Sequence, residues 1–120
     1  MKRGIVWVLS VLATALLVRC QRAPLPLAGE MTYMADAARF TECQTGRSYP
    51  IAMEADFVKM ERSYLAAVKE PGARLYVTFE GTIADRPKMD GEGVEQTVVA
   101  TRFIDVRPNQ RCKKTIADRP

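Results

Sequence analysis

From Glu30 onward the chain alternates apolar and polar residues in short runs, interrupted once by a stretch of helical period. Glu30 to Ala35 puts Met31, Tyr33 and Ala35 on one face and Thr32 and Met34 on the other, the pattern of a short strand. Asp36-Ala37 breaks it, and Ala38 to Cys43 reads as a second strand. Gln44-Thr45-Gly46 is a turn, because glycine accepts the positive φ that such turns often require. Arg47 to Met53 reads as a third strand, with Pro50 marking an edge or a bulge. At Ala55 to Lys69 the period changes: Phe57, Met60, Tyr64, Leu65 and Val68 fall on one stripe, with Lys59, Glu61, Arg62 and Lys69 largely off it. This predicts an amphipathic helix, with Asp56 at its start to meet free amides and Pro71-Gly72 to stop it. Leu75 to Ile83 is the clearest strand: Leu75, Val77, Phe79, Gly81 and Ile83 point one way, and Gly81 in that inward row suggests a bend. A polar loop, Asp85 to Gly93, leads to a last long strand from Val94 to Val106, whose two faces are too mixed to assign an inward row.

The expected fold is mainly β, with five strands and one helix between the third and the fourth. That is the order of the OB-fold, a five-stranded, partly open Greek-key barrel, with the helix plugging one end. The domain is expected over residues 30–112, followed by a tail at 113–120. Gln21 to Gly29 (QRAPLPLAG) has two prolines and reads as an extended tether.

Residues 1–20 read as an export signal. Met1-Lys2-Arg3 is a charged start and Gly4 to Val18 an apolar run, short for a membrane-spanning helix of roughly 20 residues. Leu17-Val18-Arg19-Cys20 resembles a bacterial lipobox, in which the cysteine is acylated and becomes the new N-terminus. Arg19 stands where such motifs carry a small residue. Cleavage after Ala13-Thr14-Ala15 and an uncleaved anchor are the alternatives. Gln21 after the cysteine resembles the signal that sends lipoproteins of enteric bacteria to the outer membrane, facing the periplasm.

Charge changes this picture little. The chain carries +4, but Lys2, Arg3 and Arg19 lie in the leader, and from Cys20 onward fifteen Lys/Arg face fourteen Asp/Glu. A basic stripe for nucleic acid is not expected on the folded part. Histidine is absent, which removes the commonest general base and the commonest zinc ligand. Met31, Met34, Met53, Met60 and Met89 come without a histidine beside them and methionine is common core filler, so the methionines read as core, and no metal or cofactor is expected. Glu54, Asp56, Glu61, Asp85, Asp90 and Glu92 show no pairing of the kind acid–base catalysis requires, and Ser48 and Ser63 lack a nucleophile-elbow context. The chain does not read as an enzyme.

Several separated segments, GEMTYMADAARFTEC, MERSYLAA, LYVTFEGTIADRPKMDGEG and RFIDVRPNQRC, together resemble the C-terminal OB-fold domain of NlpE-type envelope lipoproteins. The resemblance runs from Gly29 to Cys112. It implies a cell-envelope lipoprotein, linked through that family to envelope stress and copper responses. The N-terminal C-x-x-C barrel of those proteins has no counterpart in this sequence, so functions tied to it are not expected to carry over.

With Cys20 in the leader, Cys43 and Cys112, both inside the resemblance, are the expected disulfide. A redox pair is the alternative, for which Arg111 beside Cys112 is a hint, although such pairs usually come as C-x-x-C. Tyr33, Tyr49 and Tyr76, with Arg47 and Arg74, are candidates for a stacking and charge face of the kind OB-folds use. In an envelope setting the partner would be a protein or a glycan, and the membrane would be reached through the N-terminal lipid or leader. Thr45-Gly46-Arg47-Ser48-Tyr49 also resembles the S-G-x-x-Y loop of small periplasmic lysozyme inhibitors, the alternative function. TIADRP occurs twice, at Thr82–Pro87 and Thr115–Pro120, with flanks that do not match.

Overall fold

The computed structural model describes residues 23–113; the leader with Cys20 and the second TIADRP lie outside the described residues. The elements are β1 (Leu25–Met34), β2 (Ala37–Glu42), β3 (Ser48–Pro50), α1 (Phe57–Ala67), β4 (Leu75–Pro87) and β5 (Val94–Arg107). They form one antiparallel sheet in the order β3-β2-β1-β4-β5. The two ends of the sheet approach each other at a single parallel bridge, Ile51 to Val98, where the Ala52 N–H donates to the Val98 carbonyl at 2.9 Å. The sheet therefore curls without closing, and "barrel" describes it only loosely. Pro50 ends β3, an edge strand, where a missing N–H is tolerated.

The tether expected at 21–29 is half wrong. Leu25 onward is strand, and β1 is the middle strand of the sheet, paired with β4 from Leu25 and with β2 from Gly29. Leu25, Leu27, Gly29 and Met31 alternate with Pro26, Ala28 and Glu30, a period of two that the prolines disguise. Pro26 sits where β1 has β4 as its neighbour but not yet β2, so one side of the strand needs no donor there. Gly29 is required for packing: a Cβ there would lie 2.2 Å from the Thr41 carbonyl oxygen and 2.5 Å from the Phe40 ring.

The turn between β1 and β2 is tighter than the sequence suggests. Ala35 and Asp36 both have positive φ (51° and 61°), the two-residue form that suits the twist of a hairpin. In α1, Phe57, Met60 and Tyr64 are buried as expected, whereas Leu65 is 51% exposed, because the core reaches only one narrow side of the helix. Asp56 precedes the helix, but its carboxylate does not cap it. The carboxylate instead accepts the Phe103 N–H of β5 at 2.9 Å, while the Asp56 N–H donates to the Ala100 carbonyl at 3.0 Å.

β4 runs on to Pro87, past the loop boundary expected at Asp85. Its pairing with β5 shifts register between Thr78/Phe79 and Glu80/Gly81, so Phe79 faces Phe103 and Gly81 faces Ala100. Those shifts explain the mixed faces of the last strand: the inward row changes parity partway along β5. The core is Met31, Phe40, Met60, Tyr64, Val77, Phe79 and Val98, all fully buried, with the Phe40 and Phe79 rings edge-to-face at 4.9 Å.

Candidate functional site

The five residues expected to share a binding face do not share one. Tyr49 stands opposite Phe40 in the β2–β3 ladder and is 6% exposed, so it belongs to the core. Tyr33 is half-buried beneath the helix, its ring 6.5 Å from Phe57 and 6.4 Å from Tyr64, with its hydroxyl donating to Asp36 at 3.4 Å. Partial burial, helped by the nearby Glu61 carboxylate, pushes its phenol above the ordinary value. Both tyrosines fall on the inward parity of their strands, and a stacking platform cannot be built from core rings. Arg47 lies on the exposed β2–β3 turn, its N–H donating to Thr45 Oγ1. Only Arg74 and Tyr76 come together, at the start of β4. There Tyr76 lies in register between Glu30 of β1 and Arg107 of β5, and Arg74 is 3.6 Å from Glu30. The burial of Tyr49 also removes the tyrosine that the inhibitor-like loop would have to present.

The outer face of β4 and β5 is polar, and its charges are paired with one another. Arg102 donates to both oxygens of Glu80, at 2.6 and 3.0 Å, and Thr101 donates to the Glu80 carbonyl at 2.8 Å. Arg107 bonds Asp105 at 3.1 Å, and Thr78 donates its hydroxyl to the same carboxylate. The Arg102 guanidinium holds the Glu80 carboxyl below its ordinary value, and the Thr78 hydroxyl, then Arg107, do the same for Asp105. Chemically Glu80 and Asp105 are neutralised: each already has its cation.

Cys43 and Cys112 are bonded, with their Cα atoms 5.2 Å apart and a sequence separation of 69. The Cys43 N–H donates to the Ala28 carbonyl at 3.0 Å, so the cystine sits beside β1. β5, from which Cys112 follows, is separated from β2 by β4 and β1. Residues 108–112 therefore pass both strands as a strap. The strap's first part, with the end of α1, borders a cleft of about 270 Å³ lined by Lys69, Arg74, Arg111, Glu70, Asn109 and Leu75, among others.

At the start of β1 two smaller hollows adjoin. One, about 200 Å³, is lined by Pro26, Leu27, Ala28, Cys43, Phe79 and Ile104, with Glu42, Gln44 and Thr78. The other, about 160 Å³, is lined by Ala23, Leu25, Leu27, Gly81 and Ile83, with Glu42 and Thr82. Leu27 and Glu42 belong to both. The sequence reading missed these hollows because it took 21–29 for a tether; the alternation of Leu25, Leu27, Gly29 and Met31 was the available signal. Of the methionines, Met31 and Met60 are core, while Met34, Met53 and Met89 are exposed. Among the described residues no three of Cys, Asp or Glu gather as metal ligands would.

A five-stranded antiparallel sheet curled on itself, with its helix between the third and fourth strands, defines an OB-type domain. The chain belongs to the family described as the NlpE C-terminal OB domain, which it matches over residues 21–113. It is 34% identical over 89 residues to "Lipoprotein NlpE" of Escherichia coli (strain K12), an alignment covering 74% of this chain and 36% of that protein. Its fold is similar to the crystal structure of the Cpx pathway activator NlpE from Escherichia coli. That similarity has a TM-score of 0.64 at 31% identity and covers 78% of this chain and 48% of that one. The chain thus spans about a third of the curated relative and about half of the solved one.

Proposed function

We propose that this chain is an exported lipoprotein of the bacterial envelope. In this reading it is anchored by acylation of Cys20 to the outer membrane, facing the periplasm, and its OB-type domain is a non-enzymatic module that contacts an envelope protein in stress signalling. The observation that carries this is the membership of residues 21–113 in the NlpE C-terminal domain family, directly after a charged and apolar leader that ends in Cys20. The solved relative is titled a Cpx pathway activator, which makes that envelope response the one to examine first. A glycan partner has less support, because the tyrosines that would stack on sugar rings are largely core.

Two measurements test the reading. Intact mass of protein recovered from a bacterial envelope is expected to begin at Cys20 with acyl groups added. A mass that retains the leader, or begins elsewhere, removes the lipoprotein. Overproduction in a host carrying a transcriptional reporter of the Cpx response is expected to raise the reporter, and Cys20→Ala is expected to abolish the rise. A flat reporter with an acylated, folded protein would leave a lipoprotein without the signalling role.

A further inference from the structure

We propose that the domain rests on the bilayer through the apolar surface at the start of β1, formed by Leu25, Pro26, Leu27, Ile83 and Ile104. This inference rests on the lipid-anchor reading of Cys20.

The first argument is reach. Because β1 begins at Leu25, only the four residues from Gln21 to Pro24 separate it from Cys20. Fully extended, that connection spans at most roughly 18 Å, so an anchored Cys20 holds Leu25 within a short distance of the headgroups. The domain cannot stand off from the membrane as it could on a nine-residue tether. Whatever surface surrounds Leu25 is presented to the bilayer at high effective concentration.

The second argument is the chemistry of that surface. Leu25 is 64% exposed and Ile104 45% exposed. They line the two adjoining hollows with Pro26, Leu27, Ala28 and Ile83, and Glu42 is the only charged residue in either lining. A surface of aliphatic side chains and neutral polar groups suits the boundary between headgroups and acyl chains. The ion pairs Arg102–Glu80 and Arg107–Asp105 border this surface, since Glu80 stands opposite Pro26 in the β1–β4 ladder and Asp105 follows Ile104. At the bilayer boundary those charged heads stay in water while the aliphatic side chains reach the acyl region.

The third argument is polarity of the fold. β1 runs from Leu25 to the end where Tyr33 meets Phe57 and Tyr64 of the helix. The helix and its exposed Val58 thus lie at the opposite end of the strand from the apolar surface and face away from the membrane.

The natural tryptophan, Trp7, lies in the leader, so a Trp7→Phe background leaves a single introduced tryptophan as reporter. The full chain, purified from the envelope, is placed in phosphatidylcholine vesicles with or without brominated acyl chains. Leu25→Trp and Ile104→Trp are expected to be quenched by bromine at least about twofold more than Val58→Trp, because quenching requires contact with the acyl region. Equal quenching at the two ends of the domain, or none at Leu25 and Ile104, overturns the proposal. Thermal melts check that each variant is folded, and the exposure of all three sites makes the substitutions mild.

Intact mass of the same samples separates the two claims. If Cys20 carries no acyl group, the anchor reading fails by itself. The Cys20 thiol is then coupled to a maleimide phospholipid and the same quenching comparison decides whether this surface seeks the bilayer.

Discussion

At the scale of the residue, Asp56 ties the start of the helix to β5. Its N–H and its carboxylate both engage β5, on either side of the stretch where the strand changes register, and its carbonyl accepts the N–H of Met60 in the helix. Asp56→Ala leaves the half-buried Phe103 N–H without its acceptor, and an unmet donor of that kind costs about 1–3 kcal/mol. Urea titration is expected to show that loss in the midpoint with the slope unchanged; a variant as stable as the parent would mean that water takes over the bond. Asp105 makes a second residue-scale prediction. Its carboxyl titrates below the unfolded value in the folded chain, so its contribution is present above the unfolded value, about 4, and fades as pH falls through the lower folded one. Glu80 has the same sign. Both pairs are substantially exposed, so the effect is small. Melting temperature is expected to fall between about pH 5 and pH 2, and Asp105→Asn is expected to flatten part of that fall.

At the scale of the element, β1 and the strap behave unlike ordinary terminal segments. Replacing Leu25–Gly29 by a glycine–serine linker of equal length is expected to abolish the cooperative unfolding transition, since those residues pair with Val77 to Gly81 and begin the central strand. A true tether would tolerate that replacement. The strap owes its position to the cystine. Closing a loop of 69 residues' separation restricts the unfolded chain by roughly 4 kcal/mol in the entropic account. Thermal melts with and without reductant are expected to differ by well over ten degrees in a domain of this size. Coincident melts would show that the sheet, not the cystine, secures the chain's end.

At the scale of the whole molecule, the strand order and the single helix were legible because period is a local property: Leu75 to Ile83 and Phe57 to Tyr64 carry their own patterns. The cysteine pair needed only their count and their placement. Other features lay outside any local window. Tyr49 is core and Tyr33 is half-buried against the core because of which strand lies opposite each, and pairing partners far apart in sequence leave no trace in a short pattern. The register shifts that change β5's inward row depend on how two long strands coil together. The apolar surface at the start of β1 joins residues 25 to 27 with Ile83 and Ile104, which only the sheet brings side by side. The sequence by itself thus determined the class of fold, the elements and the cysteine pair. The tertiary structure alone decided where the first strand begins, which aromatic side chains are unavailable to a partner and which apolar ones remain exposed. Burial is a property of neighbours, and the neighbours here are set by strand pairing across most of the chain's length.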